Sequence, residues 1–427
     1  MRRMSRVVAA LVGMVSIASC RSAAPGVSTA PVPSPTRAVY EGTVSAFPES
    51  GTVQAAWTIR MARRPGTDSL VFLLNRGVTI SSLSGRDVER YETSRARDLT
   101  RLAVHLAPRA GAAEAEFRLE YSGRLQFSED RINGLAPEWV ELGLDSFWFP
   151  VVADFSHDVQ GRVRLVLPSG YRAISSGSQS MRGDTLEIVN ARALPDFAFA
   201  ASRALRTTAQ GRARTHDAGA SPDLIARMLA SAAQCSDHLN ARYGASDPIP
   251  TADLVVAPRS GPGYARQRYV VISVGDSAKP NVPAEAVGLT HFVCHEFAHY
   301  WSIGANPSGP DNWLNEGFAE FVAGRAVRAI HGEEAWAGIL GTWEKGAVGQ
   351  GPVWTASATA RPPANVSYRK APALLAELEA RVGSERMDAL LVRFMTEPLR
   401  TTPVVLGMID EVVGPEHGAW FRAELAR

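Results

Sequence analysis

The sequence predicts an α+β protein that has an amino-terminal domain of antiparallel strands followed by a mainly helical domain. Alternating apolar and polar residues, separated by Gly, Pro, Asp and Asn, dominate residues 38–205. Apolar residues at helical spacing dominate from residue 283 to the end. The length of 427 residues and the 45% hydrophobic content suffice for two packed cores.

The first twenty residues have the pattern of an export signal. Three arginines precede an apolar run at residues 7–18, which is shorter than the roughly 20 residues that span a bilayer. The run is followed by Ser19 and Cys20, and the stretch IASC resembles the lipobox of bacterial lipoproteins. This resemblance implies a mature chain that begins at a lipidated Cys20. An ordinary signal peptide that ends near a cysteine is the alternative.

Residues 21–37 are rich in Ala, Ser and Pro and lack an apolar period, which predicts a disordered tether. Several acyl chains on Cys20 would anchor the protein stably to a membrane. Arg21 stands where an aspartate is associated with inner-membrane retention in some enteric bacteria. We therefore expect a lipid-anchored protein of the bacterial cell envelope, at the periplasmic face of the outer membrane.

Charge and cysteine content limit the partners. The 45 basic and 43 acidic residues are finely mixed, so we expect no nucleic-acid partner. The oligomeric state stays open.

Cys235 and Cys294 are too far apart in sequence to be paired by inspection, although export would expose them to an oxidising compartment. The position of Cys294 favours a buried thiol in helix packing over a metal ligand.

The amino-terminal domain, residues 38–205, is predicted to be a β sandwich or a saddle-shaped β domain. Its strand-like runs are TVQAAWTIR, SLVFLLN, LAVHLAP, AEFRLEYSG and GRVRLVLP. In the second domain, residues 206–427, Ser221 and Pro222 predict the start of a helix that ends at Gly244. Two strands, ADLVVAP and RYVVIS, precede the helices that follow.

A helix with the sequence PAEAVGLTHFVCHEFAHYW carries the first candidate metal ligands. His295 and His299 are four residues apart, so their Cβ atoms lie about 5 to 6 Å apart on one face and both imidazoles can bind one ion. Glu296 lies about one hundred degrees around the helix, where it would reach a metal-bound water as a general base. A buried helix that holds no metal is the alternative.

Glu316, within NWLNEGFAE, is the third candidate ligand. Asn315 is predicted to cap a second helix, and a helix-turn-helix of this length returns the carboxylate to the histidines. Two histidines and one glutamate leave a fourth position for water, which is typical of catalytic zinc. Glu320, one turn later, either accepts a hydrogen bond from a ligand imidazole or is a solvated surface carboxylate.

The stretches HEFAHYW, WLNEGFAE and YRKAPALLAELEARVG resemble the aminopeptidase N family of gluzincin zinc metallopeptidases, which includes leukotriene hydrolase relatives. FRLEYSGRL, SFWFPVV and RVRLVLPSGYRAISSG are similar to the family's β domain. The resemblance implies a thermolysin-like catalytic domain, one zinc ion and a peptide substrate. It also implies that Tyr368 stabilises the oxyanion of the tetrahedral intermediate. A packed aromatic at a helix start is the alternative for Tyr368.

Three departures from the family pattern bear on the site. The loop between His299 and Glu316 is shorter than usual, and the chain ends at Arg427 without the helical domain that covers the cleft in larger members, so we expect a more open cleft. The family's Gly-x-Met-Glu-Asn signature, whose glutamate binds the substrate's free α-amine, corresponds here to GYARQ, which begins at Gly263. Arg266 replaces the glutamate.

A guanidinium at Arg266 would repel an ammonium group and favour a carboxylate or another anion. A second interpretation is that Arg266 faces solvent. Two functions therefore remain in competition. One is a zinc peptidase without strict aminopeptidase specificity, and the other is a peptide-binding lipoprotein that keeps the fold without turnover.

Overall fold

A computed structural model describes residues 36–427. The gaps within this range are residues 64–65, 67, 109–112, 128–132, 156, 262, 267–268, 277–278, 281–284, 303, 398 and 400. The predicted signal peptide with Cys20, and the predicted tether up to residue 35, lie outside the described residues.

Three sheets form the amino-terminal part. Their strands are β1 Thr36–Phe47, β2 Thr52–Ala62, β3 Ser69–Asn75, β4 Val78–Ser84, β5 Val88–Ala96, β6 Leu99–Leu106, β7 Glu114–Arg124, β8 Gly134–Leu135, β9 Val140–Leu142, β10 Val151–Val152, β11 His157–Val166, β12 Arg172–Ser175, β13 Ser178–Arg182, β14 Thr185–Leu194 and β15 Phe199–Ser202. The sheet orders are β13-β14-β11-β1-β2-β7-β4, β10-β3-β6-β5 and β12-β15-β9-β8.

One pair of strands departs from the antiparallel arrangement predicted for this part. β1 and β11 run parallel, whereas β2, β7, β4 and β14 pair with their neighbours in antiparallel register. Alternate residues of β2 and β7 are buried, because the side chains of a strand point to opposite faces and one face packs on the core. The aromatic side chains of Tyr40, Trp57, Phe149 and Phe197 contact one another in that core.

The second part begins with a mixed sheet. Its strands are β16 Arg206–Gln210, β17 Ala213–Asp217, β18 Ala252–Ala257, β19 Tyr264–Arg266 and β20 Tyr269–Ser273, in the order β16-β17-β18-β20-β19. A small pair, β21 Gly275–Asp276 and β22 Lys279–Pro280, follows. β17, β18 and β20 are parallel, and β19 is an antiparallel edge strand. The predicted domain boundary between residues 205 and 206 lies between β15 and β16.

Eight α-helices complete the described part. They are α1 Pro222–Tyr243, α2 Ala286–Ser302, α3 Asn312–His331, α4 Glu333–Ala347, α5 Ala371–Val382, α6 Ser384–Thr396, α7 Thr402–Val413 and α8 Pro415–Leu425. α1 starts as predicted, because the Ser221 hydroxyl accepts a hydrogen bond from the Leu224 backbone N–H. The α+β fold class, a β-rich part followed by a mainly helical part, is confirmed. None of these helices combines the length and the apolar character needed to cross a membrane.

A disulfide between Cys235 and Cys294 joins α1 to α2, with 5.2 Å between the two Cα atoms. The prediction of a buried thiol at Cys294 is therefore wrong. The cysteine is buried, but it faces Cys235 across the α1–α2 contact, and a separation of 59 residues hid this proximity in the sequence. The bond fixes the helix that carries the two candidate histidines.

The β-rich part contacts the second sheet through an apolar cluster and ion pairs. Trp139 and Ile174 pack against Val271 and neighbouring residues of β18 to β20. The ion pairs across this contact are Glu141–Arg259, Asp196–Arg266 and Arg192–Asp247. Two of the three carboxylates, Glu141 and Asp196, are fully buried.

Candidate active site

The candidate metal centre starts on α2. His295 and His299 lie one turn apart on the same face, with 4.8 Å between their ring centroids and 89° between their ring planes. Both side chains are buried. The crossed rings direct their Nε2 atoms toward Glu316 on α3, as the spacing within HEFAH predicts.

Glu316 completes the group. Its Oε2 atom lies 3.6 Å from His295 Nε2 and 3.5 Å from His299 Nε2. Ligand atoms about 2.0 to 2.1 Å from a tetrahedral zinc ion are about 3.3 to 3.4 Å apart, so both contacts of Glu316 have nearly the spacing of zinc ligands. The ligand atoms of the three residues all lie within 4.8 Å of one another. Burial raises the pKa of Glu316, but the adjacent His295 and His299 imidazoles outweigh this effect and hold the pKa well below the usual value. The carboxylate is therefore ionised, as a zinc ligand must be.

Asn315 does not cap α3, contrary to the prediction. The helix already begins at Asn312, and the Asn315 amide instead holds the loop between α2 and α3. Its Oδ1 accepts hydrogen bonds from the backbone N–H groups of Gly304 and Ala305, and its Nδ2 donates to the Ala305 carbonyl. This loop sets the distance between the two ligand helices, so Asn315 supports the site through a different contact.

Glu320 is buried, and only 5% of its surface is exposed, so the alternative of a solvated carboxylate is wrong. His295 Nδ1 lies 2.9 Å from Glu320 Oε2, a contact that fixes the ring orientation and directs Nε2 toward Glu316. Trp343 Nε1 and Arg369 Nη1 donate to the other oxygen at 3.0 and 3.1 Å. Burial raises the pKa of Glu320, but nearby His291, His295 and Arg369 lower it to about 2.

Glu296 follows His295 on α2 and is 2% exposed. Burial raises the pKa of its carboxyl above the usual value, and the charges of His295 and His299 partly offset this effect. A carboxyl group whose pKa is raised toward neutrality is suited to accept and return a proton. The environment thus fits the predicted general base.

Tyr368 lies in a π-helical turn, Val366–Lys370, that leads directly into α5. Its ring stacks on the His295 imidazole, with centroids 5.7 Å apart. The buried hydroxyl makes no hydrogen bond of standard geometry among the described residues, although the Glu316 carboxylate lies close enough to act on its pKa. Burial, together with the adjacent Glu316 carboxylate, raises its pKa well above the usual value, so the hydroxyl stays protonated and can donate.

Arg266 lies at the end of β19 but does not face solvent, so that alternative is wrong. Its Nε donates to Asp196 Oδ1 at 3.0 Å, its guanidinium lies over the Tyr264 ring, and its side chain is 13% exposed. The paired Asp196 largely neutralises the charge that was expected to select an anionic group. Gly263 allows β19 to approach β20, since a Cβ atom there would lie 2.4 Å from the Val271 carbonyl oxygen.

Several residues of the site have no signal in the sequence. Asp196 comes from the β-rich part, Trp343 from α4, and Arg369 from the turn beside Tyr368. Arg361, in the segment before that turn, places its Nη2 atom 3.9 Å from Glu316 Oε1. Asp196, Trp343 and Arg361 belong to no spaced motif. Arg369 lies in the motif that contains Tyr368, but only the folded chain reveals its contact with Glu320.

Comparisons with known proteins bear on the fold. No family model matches the sequence. An M1 zinc metallopeptidase from Deinococcus radiodurans superimposes with a TM-score of 0.67 at 17% identity, over 91% of this chain and 93% of that one. A two-domain M1 zinc metallopeptidase mutant bound to L-arginine gives 0.65 at 17% identity, over 92% and 94%.

A third structure, native yeast LTA4 hydrolase, gives a TM-score of 0.69 at 14% identity over 91% of this chain and 66% of that chain. Similarity at such low identity concerns the course of the backbone. The resemblance drawn from the sequence motifs is thus confirmed at the level of the fold. The chain has the two-domain fold of the M1 zinc metallopeptidases.

Proposed function

We propose that this protein is a zinc-dependent peptidase. The observation that carries the proposal is the convergence of His295, His299 and Glu316, whose ligand atoms all lie within 4.8 Å of one another, with the Tyr368 ring stacked on His295. The similar structures add support, since one is a Deinococcus radiodurans M1 zinc metallopeptidase mutant bound to a Tyr-Ser-Ala substrate. His295, His299 and Glu316 would hold one zinc ion.

The proposed mechanism uses the chain's own acid, base and hydrogen-bond donor. Zinc, when bound, polarises the scissile carbonyl and lowers the pKa of a coordinated water. Glu296 takes a proton from the attacking water as the new C–O bond forms. Tyr368 donates a hydrogen bond to the carbonyl oxygen as negative charge develops there. Glu296 then passes the proton to the departing nitrogen, and the C–N bond breaks to give a carboxylate and an amine.

Strict aminopeptidase specificity is not part of the proposal. The buried Asp196 carboxylate is paired with Arg266, and the buried Glu141 carboxylate accepts two hydrogen bonds from Arg259, at 2.6 and 2.9 Å. A substrate ammonium group would have to displace a guanidinium from either carboxylate. We therefore propose cleavage that does not depend on a free α-amine.

Two measurements on the chain from residue 21 onward test these proposals. Dipicolinate treatment should abolish peptide cleavage, and stoichiometric zinc should restore it. Matched peptides with free and acetylated amino termini should then be cleaved at similar rates. Cleavage of the free form alone would contradict the proposal on specificity and leave the peptidase itself intact.

A non-catalytic peptide-binding protein is the second candidate, and the occupied carboxylates at Asp196 and Glu141 favour it over an aminopeptidase. The retention of Glu296 beside a complete ligand set favours the enzyme. Peptides that bind the zinc-loaded protein and remain intact over a day would decide for the binding protein.

We also propose that the protein is exported and anchored through Cys20 at the periplasmic face of the outer membrane. The disulfide Cys235–Cys294 supports an oxidising compartment, where such bonds persist. Metabolic labelling with a radioactive fatty acid should label the wild type and spare Cys20→Ala. Equal labelling of the two proteins would refute the anchor.

A further inference from the structure

We propose that Arg369 is a positioning residue for Tyr368, and that its ion pair with Glu320 aligns the tyrosine hydroxyl with the metal centre. This inference rests on the proposed peptidase function, because it concerns the donor to the oxyanion. In this proposal the Glu320 carboxylate positions both the candidate metal ligand His295 and the oxyanion donor Tyr368.

The two oxygens of Glu320 serve different parts of the site. Oε2 contacts His295 Nδ1 at 2.9 Å and thereby orients a metal ligand. Oε1 accepts from Arg369 Nη1 at 3.1 Å and from Trp343 Nε1 at 3.0 Å. A buried carboxylate must be matched by charge and hydrogen bonds, so these contacts hold one another in place.

Arg369 also holds the backbone of the tyrosine directly. Its Nη1 donates to the Tyr368 carbonyl oxygen at 2.8 Å while it contacts Glu320 Oε1. The stem of Arg369 crosses α4 at Gly346, where an added Cβ atom would lie 2.7 Å from Arg369 Cγ. With its side chain only 19% exposed, the guanidinium has little freedom to leave this position.

The turn that carries Tyr368 packs closely on α3 as well. A Cβ atom at Gly317, the residue after Glu316, would lie 2.8 Å from Ala371 Cβ and 3.4 Å from the Ser367 carbonyl oxygen. Single π-helical turns occur frequently at functional sites. Arg369 is the charged residue of this turn that reaches the metal-orienting carboxylate, so its loss should let the tyrosine shift relative to His295.

A purely structural role for Arg369 makes a different prediction, which a mutant cycle separates. Arg369→Gln should lower kcat by about tenfold, because a displacement well under 1 Å misaligns the donor, and should leave KM within about threefold. In a Tyr368→Phe background, the same change should alter kcat by less than about twofold, since no hydroxyl remains to misalign. Equal losses in both backgrounds would overturn the proposal.

The controls address folding and the metal. Arg76→Gln removes an exposed Arg–Asp pair in the β-rich part and should leave kcat, KM and zinc content unchanged. Arg369→Lys keeps the charge opposite Glu320 and should recover most of the lost kcat. If Arg369→Gln fails to fold, Arg369→Met, which also lacks the charge, replaces it in the cycle. Zinc content should stay at one ion per chain in every variant, and loss of zinc in Arg369→Gln would overturn the proposal.

Failure of the proposed peptidase function can be distinguished from failure of the positioning role of Arg369. If the zinc-loaded wild type cleaves no peptide, the proposed function fails. The wild type and the three variants of the cycle are then compared by their calorimetric affinity for a phosphinic dipeptide, which carries a tetrahedral oxyanion. Arg369→Gln should then weaken binding about tenfold with Tyr368 present and less than twofold without it. Absence of both cleavage and binding would overturn this inference too, because Tyr368 would have no oxyanion to contact.

Discussion

The ring of Tyr368 lies over the imidazole of His295, with 5.7 Å between the ring centroids and 29° between the ring planes. The two residues come from α2 and from the turn before α5, and both are tied to Glu320, one by its Nδ1 atom and the other through its neighbour Arg369. The stack therefore sets the direction from which the tyrosine hydroxyl would approach a substrate at the proposed metal centre.

Tyr368→Phe should lower kcat by about 10² to 10³-fold, because it removes one preorganised donor to the developing oxyanion. The ring and its stacking on His295 remain, so KM and zinc content should change little. Steady-state kinetics and metal analysis of the variant check both points. Wild-type kcat in Tyr368→Phe would show that the hydroxyl is a packing feature.

Glu296→Gln should keep one zinc ion and lose about 10² to 10⁴ in kcat, because glutamine has the same shape but cannot accept a proton. The measurement is kcat at saturating peptide with parallel metal analysis. Glu334→Gln, at an exposed position on α4, is the matched control and should behave like the wild type. Full activity of Glu296→Gln would exclude this carboxylate as the base.

Zinc binding should release about one proton per chain at pH 7.5. Burial lowers the pKa of His295, but the Glu316 and Glu320 carboxylates outweigh this and raise it from 6.5 to about 10 in the metal-free protein. The ring is therefore protonated at pH 7.5, and zinc must displace that proton. Calorimetry in two buffers of different ionisation enthalpy measures the release, and equal heats in both would contradict the assignment.

The raised pKa of His295 also determines how the stability of the metal-free protein depends on pH. A His295 pKa raised from 6.5 to about 10 contributes stability that is complete below pH 6.5 and is lost as the pH rises through 10. In the zinc-loaded protein the ring is a ligand and carries no such proton. The unfolding free energy of the metal-free protein should therefore fall with pH across this window more steeply than that of the zinc form.

The disulfide should contribute about 2 to 4 kcal/mol to the free energy of unfolding, because it closes a 59-residue segment in the unfolded chain. Urea unfolding of the metal-free protein, with and without a phosphine reductant, measures this difference. The reductant should leave the unfolding curve of a Cys235→Ala, Cys294→Ala double variant unchanged. Identical curves for the wild type under both conditions would refute the contribution.

Arg266→Met should destabilise the fold by about 3 to 5 kcal/mol, because it leaves the buried Asp196 carboxylate without its partner. Arg192→Met is the matched control at the same contact between the two parts. Its pair with Asp247 is 64% and 39% exposed, so the loss should stay below about 1 kcal/mol. Urea unfolding of both variants compares them, and equal losses would argue against a buried pair at Arg266.

Local sequence patterns were sufficient to predict several strands and helices and the candidate metal ligands. The run SLVFLLN coincides with β3, Ser69–Asn75, because its short apolar run and its flanking turn residues are properties of neighbours along the chain. The spacing of His295 and His299 follows from helix geometry in the same way. Even so, Asn315 was assigned the wrong contact, since its partners Gly304 and Ala305 belong to a loop of no regular period.

The sequence by itself determined the order of a β-rich part and a mainly helical part, the pair of imidazoles on one helix face and the presence of Glu296 beside them. Tertiary structure alone decided that Cys235 forms a disulfide with Cys294. It also decided that Asp196 pairs with Arg266 and that Arg369 pairs with Glu320. The physical reason is the distance along the chain over which each feature is determined. Helical and strand periods are set by bonds a few residues long, whereas a contact between distant segments depends on how whole sheets and helices pack.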